Sequence, residues 1–346
     1  INFSISNRIM PIANRIISHH QQAFMLHRNI HLHIETARIL ANQINSSPSL
    51  SNEQHILLVD LKKAFDSIDH QYLKKILEKF GFPNSTIEAT INQSRLASAN
   101  IVNQNWIHKF NIPLRRGVRQ GLPFSPLIFN LAIQPLIIKL HQSIRGMKYN
   151  PYNERGLNAK LFINILAFAD DICLFHQNNN ELLKSLSILN NFAQISDLKI
   201  NEKKSIIFIN NKGINNIKQF ANINQLKLSI LDIKENPIYL GIPLLKINWY
   251  NKINQLKTRL RKTMFLDLNL YQRVVAVNTY IYSTIYYFDQ HDPIPDPLLN
   301  SFENHVKKEL VKYLPLKIAV RRIKWHQPHK NGGMGLIDLG KQLQGR

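Results

Sequence analysis

Apolar residues recur at helical spacing through IANRIISHHQQAFMLHRNI and again through HLHIETARILANQI, so residues 1–45 predict helices. A Ser-rich run punctuated by Pro48 breaks the pattern, and a loop is expected there. Residues 55–61 are a bounded apolar run, the signature of a buried strand. From Asp69 to Phe80 the helical period returns, closed by Gly81 and Pro83. ANIVNQNW and IHKFNIPL predict a hairpin. A loop carrying Arg115, Arg116, Gly117, Arg119 and Gly121 follows, then a long helix from about Ser125 to His141. Residues 160–176 predict a second hairpin, tipped by the adjacent carboxylates Asp170 and Asp171. A helix over about 179–195, a strand at KSIIFIN and a short final strand at IYLGIPL complete this part. NWYNKINQLKTRLRKTMF and LYQRVVAVNTYIYSTIYYF then predict a separate, mostly helical unit. The order implies an α+β fold with both acidic motifs on one antiparallel sheet backed by helices.

Composition narrows the chemistry. With 346 residues and 44% hydrophobic content, a large core can form, and disorder is not expected. Lys and Arg number 44 against 22 acidic residues, and the formal charge of +22 is spread along the chain. That distribution favours a nucleic-acid groove, where each neutralised phosphate releases a counterion, over a basic tail. A solvated basic surface is the plainer alternative. Cys173 is the only cysteine, which excludes an internal disulfide and a cysteine-based zinc site and fits an intracellular setting. His19, His20, His27, His31 and His33 cluster without ligand-like spacing. The longest apolar stretch, LPFSPLIFNLAIQPLII, is too short and too polar to span a membrane, and no secretory signal is visible. Neither the phosphate loop G-x-x-x-x-G-K-[ST] nor G-x-G-x-x-G occurs, so nucleotide handling would rest on metals and basic side chains.

A third carboxylate, Asp60, closes the apolar run HILLVD. Singly, Asp60 reads as a helix N-cap and Asp170–Asp171 as turn residues. Gathered at strand ends in so basic a chain, the three suggest divalent ions acting on a polyanion.

The flanks carry a resemblance. LLVDLKKAFDSIDHQYL resembles motif A of reverse transcriptases, RRGVRQGLPFSPLIFNLAIQPL resembles motif B, and FADD is similar to motif C. LKINEKKSIIFI then resembles motif D, and IYLGIPL the primer-grip motif. The wording is that of LINE-type non-LTR retrotransposons: KAFDSIDH, the QG-x-P-x-SP-x-x-FN pattern and the terminal W…GGMGLIDL stretch. The resemblance runs over nearly the whole chain.

It implies a right-hand polymerase: partial fingers over 1–54, an antiparallel-sheet palm with inserted fingers elements over 55–245, and a helical thumb with trailing segment over 246–346. It implies RNA-directed DNA synthesis from an RNA template, a DNA primer and a deoxynucleoside triphosphate, supported by magnesium, with manganese as a substitute. Asp60, Asp170 and Asp171 match the metal-binding triad, and Lys204 matches the motif D lysine, a proton donor to pyrophosphate. Leu61, Phe65, Gln120 and Gly121 match the nucleotide site, with Phe65 as the bulky residue that blocks a ribose 2′-hydroxyl. Tyr239, Leu240 and Gly241 match the primer grip. Arg115, Arg116 and Arg119 suit phosphate contact, because guanidinium forks fit phosphate oxygens. Arg28 resembles a fingers-region arginine, although Ala23 and His27 replace glycines usual beside it.

Other departures are Leu122 and Phe124 in motif B, fingers elements missing or starting at residue 1, and a first residue that is Ile. No stretch resembles an endonuclease or a Cys/His knuckle. The chain is therefore expected to be the polymerase part of a longer retrotransposon protein, acting in the nucleus, with nicking supplied by a separate or lost segment. A catalytically silent nucleic-acid-binding remnant is the alternative; an RNA-copying RNA polymerase is disfavoured by Phe65. Lys252, Lys257, Arg259, Arg261 and Lys262, then Lys307, Lys308, Lys312, Arg321, Arg322 and Lys324, would form the thumb's basic face.

Overall fold

The computed structural model describes residues 2–46, 54–95, 98–103, 106–113, 115–149, 161–209, 215, 217–219, 229–231, 236–313 and 324–344. It divides into two units, Ile1–Leu245 and Lys246–Arg346.

The first unit runs through α1 (Asn2–Ile16), α2 (Ile30–Ser46), β1 (His55–Val59), α3 (Ala64–Ser67), α4 (His70–Lys79) and α5 (Asn84–Arg95). The hairpin β2 (Ser98–Asn103) and β3 (Trp106–Pro113) leads to α6 (Ser125–Ser143), β4 (Met147–Tyr149) and β5 (Leu161–Ile163). Then come β6 (Ile165–Phe168), β7 (Asp171–His176), α7 (Asn179–Ser196), β8 (Ile206–Ile209), β9 (Ser229–Leu231), β10 (Ile238–Tyr239) and β11 (Ile242–Pro243). The central sheet has the order β6-β7-β1-β8-β9.

Every residue of β1 is buried, because the strand is flanked by β7 and β8 and covered on both faces. Alternate side chains serve different cores. Leu57, Val59, Ile172, Leu174 and Ile207 face a large cluster built with α4, α6 and α7. Ile56, Leu58, Cys173, Phe175 and Phe208 face Leu40, Ala41 and Ile44 of α2, with Tyr239 and Leu244. A strand covered on both sides carries apolar residues on both faces, which is why ILLV reads without alternation.

Four expectations need correction. The sheet is not purely antiparallel, since β8 and β9 pair in parallel. The helical pattern of the first 45 residues is interrupted, and residues 17–29 are not helical. LFINILAF is not one strand: buried Asn164 donates from Nδ2 to the carbonyls of His141 (2.9 Å) and Ile144 (2.7 Å), sending β5 to pair with β4 and β6 with β7. IYLGIPL is not one strand either. Leu240 (φ 49°) and Gly241 (φ 81°) turn the chain between β10 and β11, making a minimal hairpin.

The second unit comprises α8 (Trp249–Met264), α9 (Leu270–Val277), a π-helical turn (Asn278–Tyr282), α10 (Ser283–Asp289), α11 (Asp296–Val311) and α12 (Leu339–Gln344). The second helical segment read from the sequence is thus helical from Leu270 to Asp289, with the π turn within it. Among its basic residues, Lys252 sits over the Phe288 ring (3.5 Å) and Lys312 pairs with Glu309 (2.7 Å). Arg259 donates to the Tyr280 carbonyl and the Thr284 hydroxyl (both 3.2 Å), while Arg261 and Lys262 are exposed. Arg321 and Arg322 lie outside the described residues. No helix among the described residues is long and apolar enough to cross a membrane.

Burial lowers the imidazole of His20 to about 4, with His141 beside it contributing. It lowers His33 to about 3, helped by His20 and Arg28, and pushes His176 well down, with His55 second. Unfolded histidines titrate near 6.5, so between there and about pH 4 the unfolded chain binds more protons than the folded one. The stability these histidines contribute is therefore expected to be complete above about pH 6.5 and to fall as pH is lowered through that window. Melting temperatures across pH 7.5 to 4.5 would read the decline; a flat profile contradicts neutral burial of these rings.

Candidate active site

Val59 of β1 pairs with Ile172 of β7, so Asp60 and Asp171 stand one register step beyond, at the same end of the sheet. Asp171 also pairs with Phe168, leaving Ala169 and Asp170 as the two-residue turn of the β6–β7 hairpin. Asp60 and Asp171 line one small pocket, about 130 Å³, together with Lys204, Tyr239 and Leu240. Motifs distant in sequence thus converge on one place.

The carboxylates repel one another. Asp171 opens to solvent at the pocket mouth, yet loss of hydration raises its carboxyl to about 6, with Asp170 and then Asp60 adding to the rise. Asp170 is also raised, first by burial, with Asp60 contributing; a bond to its own backbone opposes the shift. Among the described residues no three His, Cys, Asp or Glu side chains close into a metal cage. The set is open, made of hard oxygens and electrostatically coupled. That suits a cation such as magnesium, which takes one or two carboxylates and completes its shell with water and substrate phosphate.

Asp60 is no helix cap. Lys63 stands at the cap of α3 with no side-chain cap bond, and Asp69 caps α4 by accepting from the Tyr72 amide (2.8 Å). Instead, Asn201 donates from Nδ2 to Asp60 Oδ2 (2.8 Å), and its amide donates to the Asp60 carbonyl (2.7 Å). The Asp60 amide donates to the Ser205 hydroxyl (3.1 Å). The sequence reading picked Lys204, which is exposed at the pocket, and missed Asn201 three residues before it.

The loop before α6 is tied to the segment after Asp60 by backbone hydrogen bonds. The Gly117 amide donates to the Ile68 carbonyl (2.8 Å), and the Val118 amide to the Phe65 carbonyl (2.7 Å). Gly117 has φ +82°, and a Cβ there would lie 2.6 Å from Phe65 O and Asp66 Cα. Gln120 donates to Asp66 Oδ1 (3.2 Å), and Gly121 takes φ +87° in open space.

The remaining expected site residues fall into three groups. Arg115 and Arg119 are exposed, and Arg116 pairs with Asp197 (2.7 Å). Phe65 is half-buried and stacks on Phe129 (4.3 Å), Leu61 is buried, and Tyr239 belongs to the core. Arg28 sits elsewhere: its guanidinium donates to the carbonyls of Asn14, Ile17, Ser18 and Gln21, closing the end of α1 and the turn after it.

Comparison with known proteins gives the lineage. The reverse transcriptase (RNA-dependent DNA polymerase) family profile matches residues 1–244. The chain is 24% identical over 314 residues to the Pol polyprotein of the type-1 retrotransposable element R2 of Popillia japonica, covering 88% of this chain and 42% of that protein. It is 25% identical over 295 residues to the R2DM Pol polyprotein of Drosophila melanogaster, covering 82% and 27%. The chain thus spans less than half the length of these relatives. The Candida tropicalis apo telomerase structure overlaps 90% of this chain and 55% of its own, at 13% identity and a TM-score of 0.44. With the profile spanning well over half the chain and both Pol relatives belonging to R2 elements, the chain belongs to the reverse transcriptase family, in its LINE-type non-LTR retrotransposon branch.

Proposed function

We propose that the chain is an RNA-directed DNA polymerase whose reactive centre is Asp60, Asp170 and Asp171. The convergence of Asp60 and Asp171 on one pocket, with Lys204 and the β10–β11 hairpin, carries this reading. A primer 3′-oxygen attacks the α-phosphorus of a deoxynucleoside triphosphate, forming a phosphodiester bond as the bond to pyrophosphate breaks. The three aspartates would hold divalent magnesium, or manganese in its place, and the chemistry such an ion supplies when bound is activation of the hydroxyl and stabilisation of the leaving oxygen. Asn201 fixes the direction in which Asp60 presents its carboxylate. Lys204 donates a proton to pyrophosphate. Leu61, Gln120 and Gly121 border the nucleotide, and Arg115, Arg116 and Arg119 contact phosphates. Because Tyr239 is buried, the primer would meet the backbone of the Leu240–Gly241 turn. Arg28 is assigned a structural part, since its donors are already engaged.

Residues 1–54 act as partial fingers, 55–245 as palm and 246–346 as thumb. The RNA template and DNA primer lie against the basic face of the thumb, in the nucleus, and a segment outside this chain nicks the target DNA. Deleting 246–346 is expected to weaken template–primer binding at least about tenfold at 0.15 M salt while nucleotide choice is unchanged. Equal binding by the truncated protein would remove the thumb assignment.

Phe65 excludes the ribose 2′-hydroxyl. Its stack on Phe129 holds the ring in place. Phe65→Val is expected to raise ribonucleotide incorporation at least about tenfold in primer extension, a discrimination worth roughly 1.4 kcal/mol. Unchanged sugar preference would refute the gate.

A further inference from the structure

The turn that carries Asp170 is held in a conformation its sequence does not favour. Ala169 has φ 56°, in the left-handed region where a Cβ meets the following carbonyl. The same turn is bounded by the Phe168–Asp171 pair, so any relaxation of Ala169 moves both aspartates.

One side chain grips this residue from both sides. Gln21 is fully buried, and its Oε1 accepts from the Ala169 amide (2.8 Å) while its Nε2 donates to the Ala169 carbonyl (3.2 Å). Oε1 also accepts from the Ala23 amide (3.0 Å). A carboxamide offers an acceptor and a donor side by side on one rigid plane, which is what clasping both backbone groups of a single residue needs.

The clasp is itself anchored. Residues 20–22 run beside β6 as an added edge: the Ala167 amide donates to the His20 carbonyl (2.8 Å) and the Gln22 amide to the Ala167 carbonyl (3.0 Å). The Arg28 guanidinium donates to the Gln21 carbonyl, and Asn130 Nδ2 of α6 to the Ala23 carbonyl (2.8 Å).

We propose that Gln21 is a positioning residue for the acidic turn: it keeps Ala169 left-handed and so sets where Asp170 and Asp171 present their carboxylates. The inference rests on these aspartates being the reactive centre, but its test also reads metal binding without turnover.

The full chain is compared with Gln21→Met, which removes all three bonds at similar volume, and with the double variant Gln21→Met/Ala169→Gly. Gln21→Asn, one methylene shorter with the carboxamide kept, replaces Gln21→Met if the latter shows no cooperative melt. Primer extension on an RNA template gives kcat and the KM for deoxynucleotide; Mn²⁺ titration followed by electron paramagnetic resonance gives ion affinity without nucleotide. The expected result is a kcat at least about tenfold lower with KM within about twofold, and Mn²⁺ bound several-fold more weakly. Glycine at 169 removes the conformational penalty, so the double variant is expected to recover at least about threefold in kcat. A folded Gln21 variant matching wild type in both kcat and Mn²⁺ affinity overturns the proposal and leaves the polymerase reading intact. If wild type extends no primer yet the Gln21 variant loses Mn²⁺ affinity, the polymerase reading falls and the positioning role stands. A wild type that neither extends primers nor binds Mn²⁺ sinks both.

Discussion

Asp171→Asn is expected to cut primer extension by at least about 10³-fold, on the order of 4 kcal/mol of transition-state stabilisation, while the metal-free protein melts at the same or a higher temperature. Asparagine keeps the volume and the hydrogen-bonding oxygen but removes the charge. Activity is lost because a neutral amide would hold a divalent cation far more weakly than a carboxylate, and it is the cation that would offset the charge developing on phosphoryl oxygens. Stability moves the other way. The Asp171 carboxyl is raised to about 6 in the fold, by partial loss of hydration and then by Asp170 and Asp60. The folded state therefore holds its proton more tightly than the unfolded chain, and the stability associated with the protonated form is lost as pH rises through that value. At pH 7.5 the wild type bears this repulsion and the variant does not. Solvent at the pocket mouth screens part of the effect, so the gain is small. Melting in chelator beside single-turnover extension tests both halves. A variant that is less stable and still active would contradict each.

Gly117→Ala is expected to destabilise the first unit by roughly 2–3 kcal/mol and to lower extension more than tenfold in the folded fraction. Its φ of +82° is costly for alanine, and a Cβ would lie 2.6 Å from the backbone at Phe65 and Asp66, which cannot rotate aside. The loop must withdraw, loosening the Gly117–Ile68 and Val118–Phe65 bonds and shifting Gln120 relative to Asp66. Gly121→Ala is the internal comparison. Its φ is +87° but nothing lies within 4 Å of the added carbon, so only the backbone penalty of about 1 kcal/mol is expected. Denaturant midpoints for the two variants separate close approach from backbone strain; equal losses would show that packing against Phe65 is immaterial.

Much of this arrangement was legible because local pattern and tertiary demand agree. ILLV is apolar throughout as both its faces are covered, and Asp60 is the first polar residue after it. The tip at Asp170 follows from apolar runs on either side. What was not legible depends on partners far along the chain. Asn164 breaks a strand-like run only because the end of α6 presents carbonyls to it. Leu240 adopts a left-handed conformation that leucine does not favour, so IYLGIPL reads as a strand and folds as a hairpin. Gln21 lies in a segment with helical spacing, and nothing local shows that its amide is aimed at a residue 148 positions away. Asn201 is hidden differently: in an Asn-rich chain one asparagine gives no signal, and its bond to Asp60 exists only once the strands are assembled.

In the proposed function, Asp60, Asp170 and Asp171 form the centre of an RNA-copying DNA polymerase. Primer extension on an RNA template with deoxynucleotides and Mg²⁺, comparing wild type with Asp170→Ala under equal template–primer binding, tests it most directly. Wild type is expected to show template-directed extension and the variant none above background. Extension surviving Asp170→Ala would place the chemistry elsewhere, and tight, salt-sensitive binding without extension by wild type would leave a nucleic-acid-binding protein in place of a polymerase.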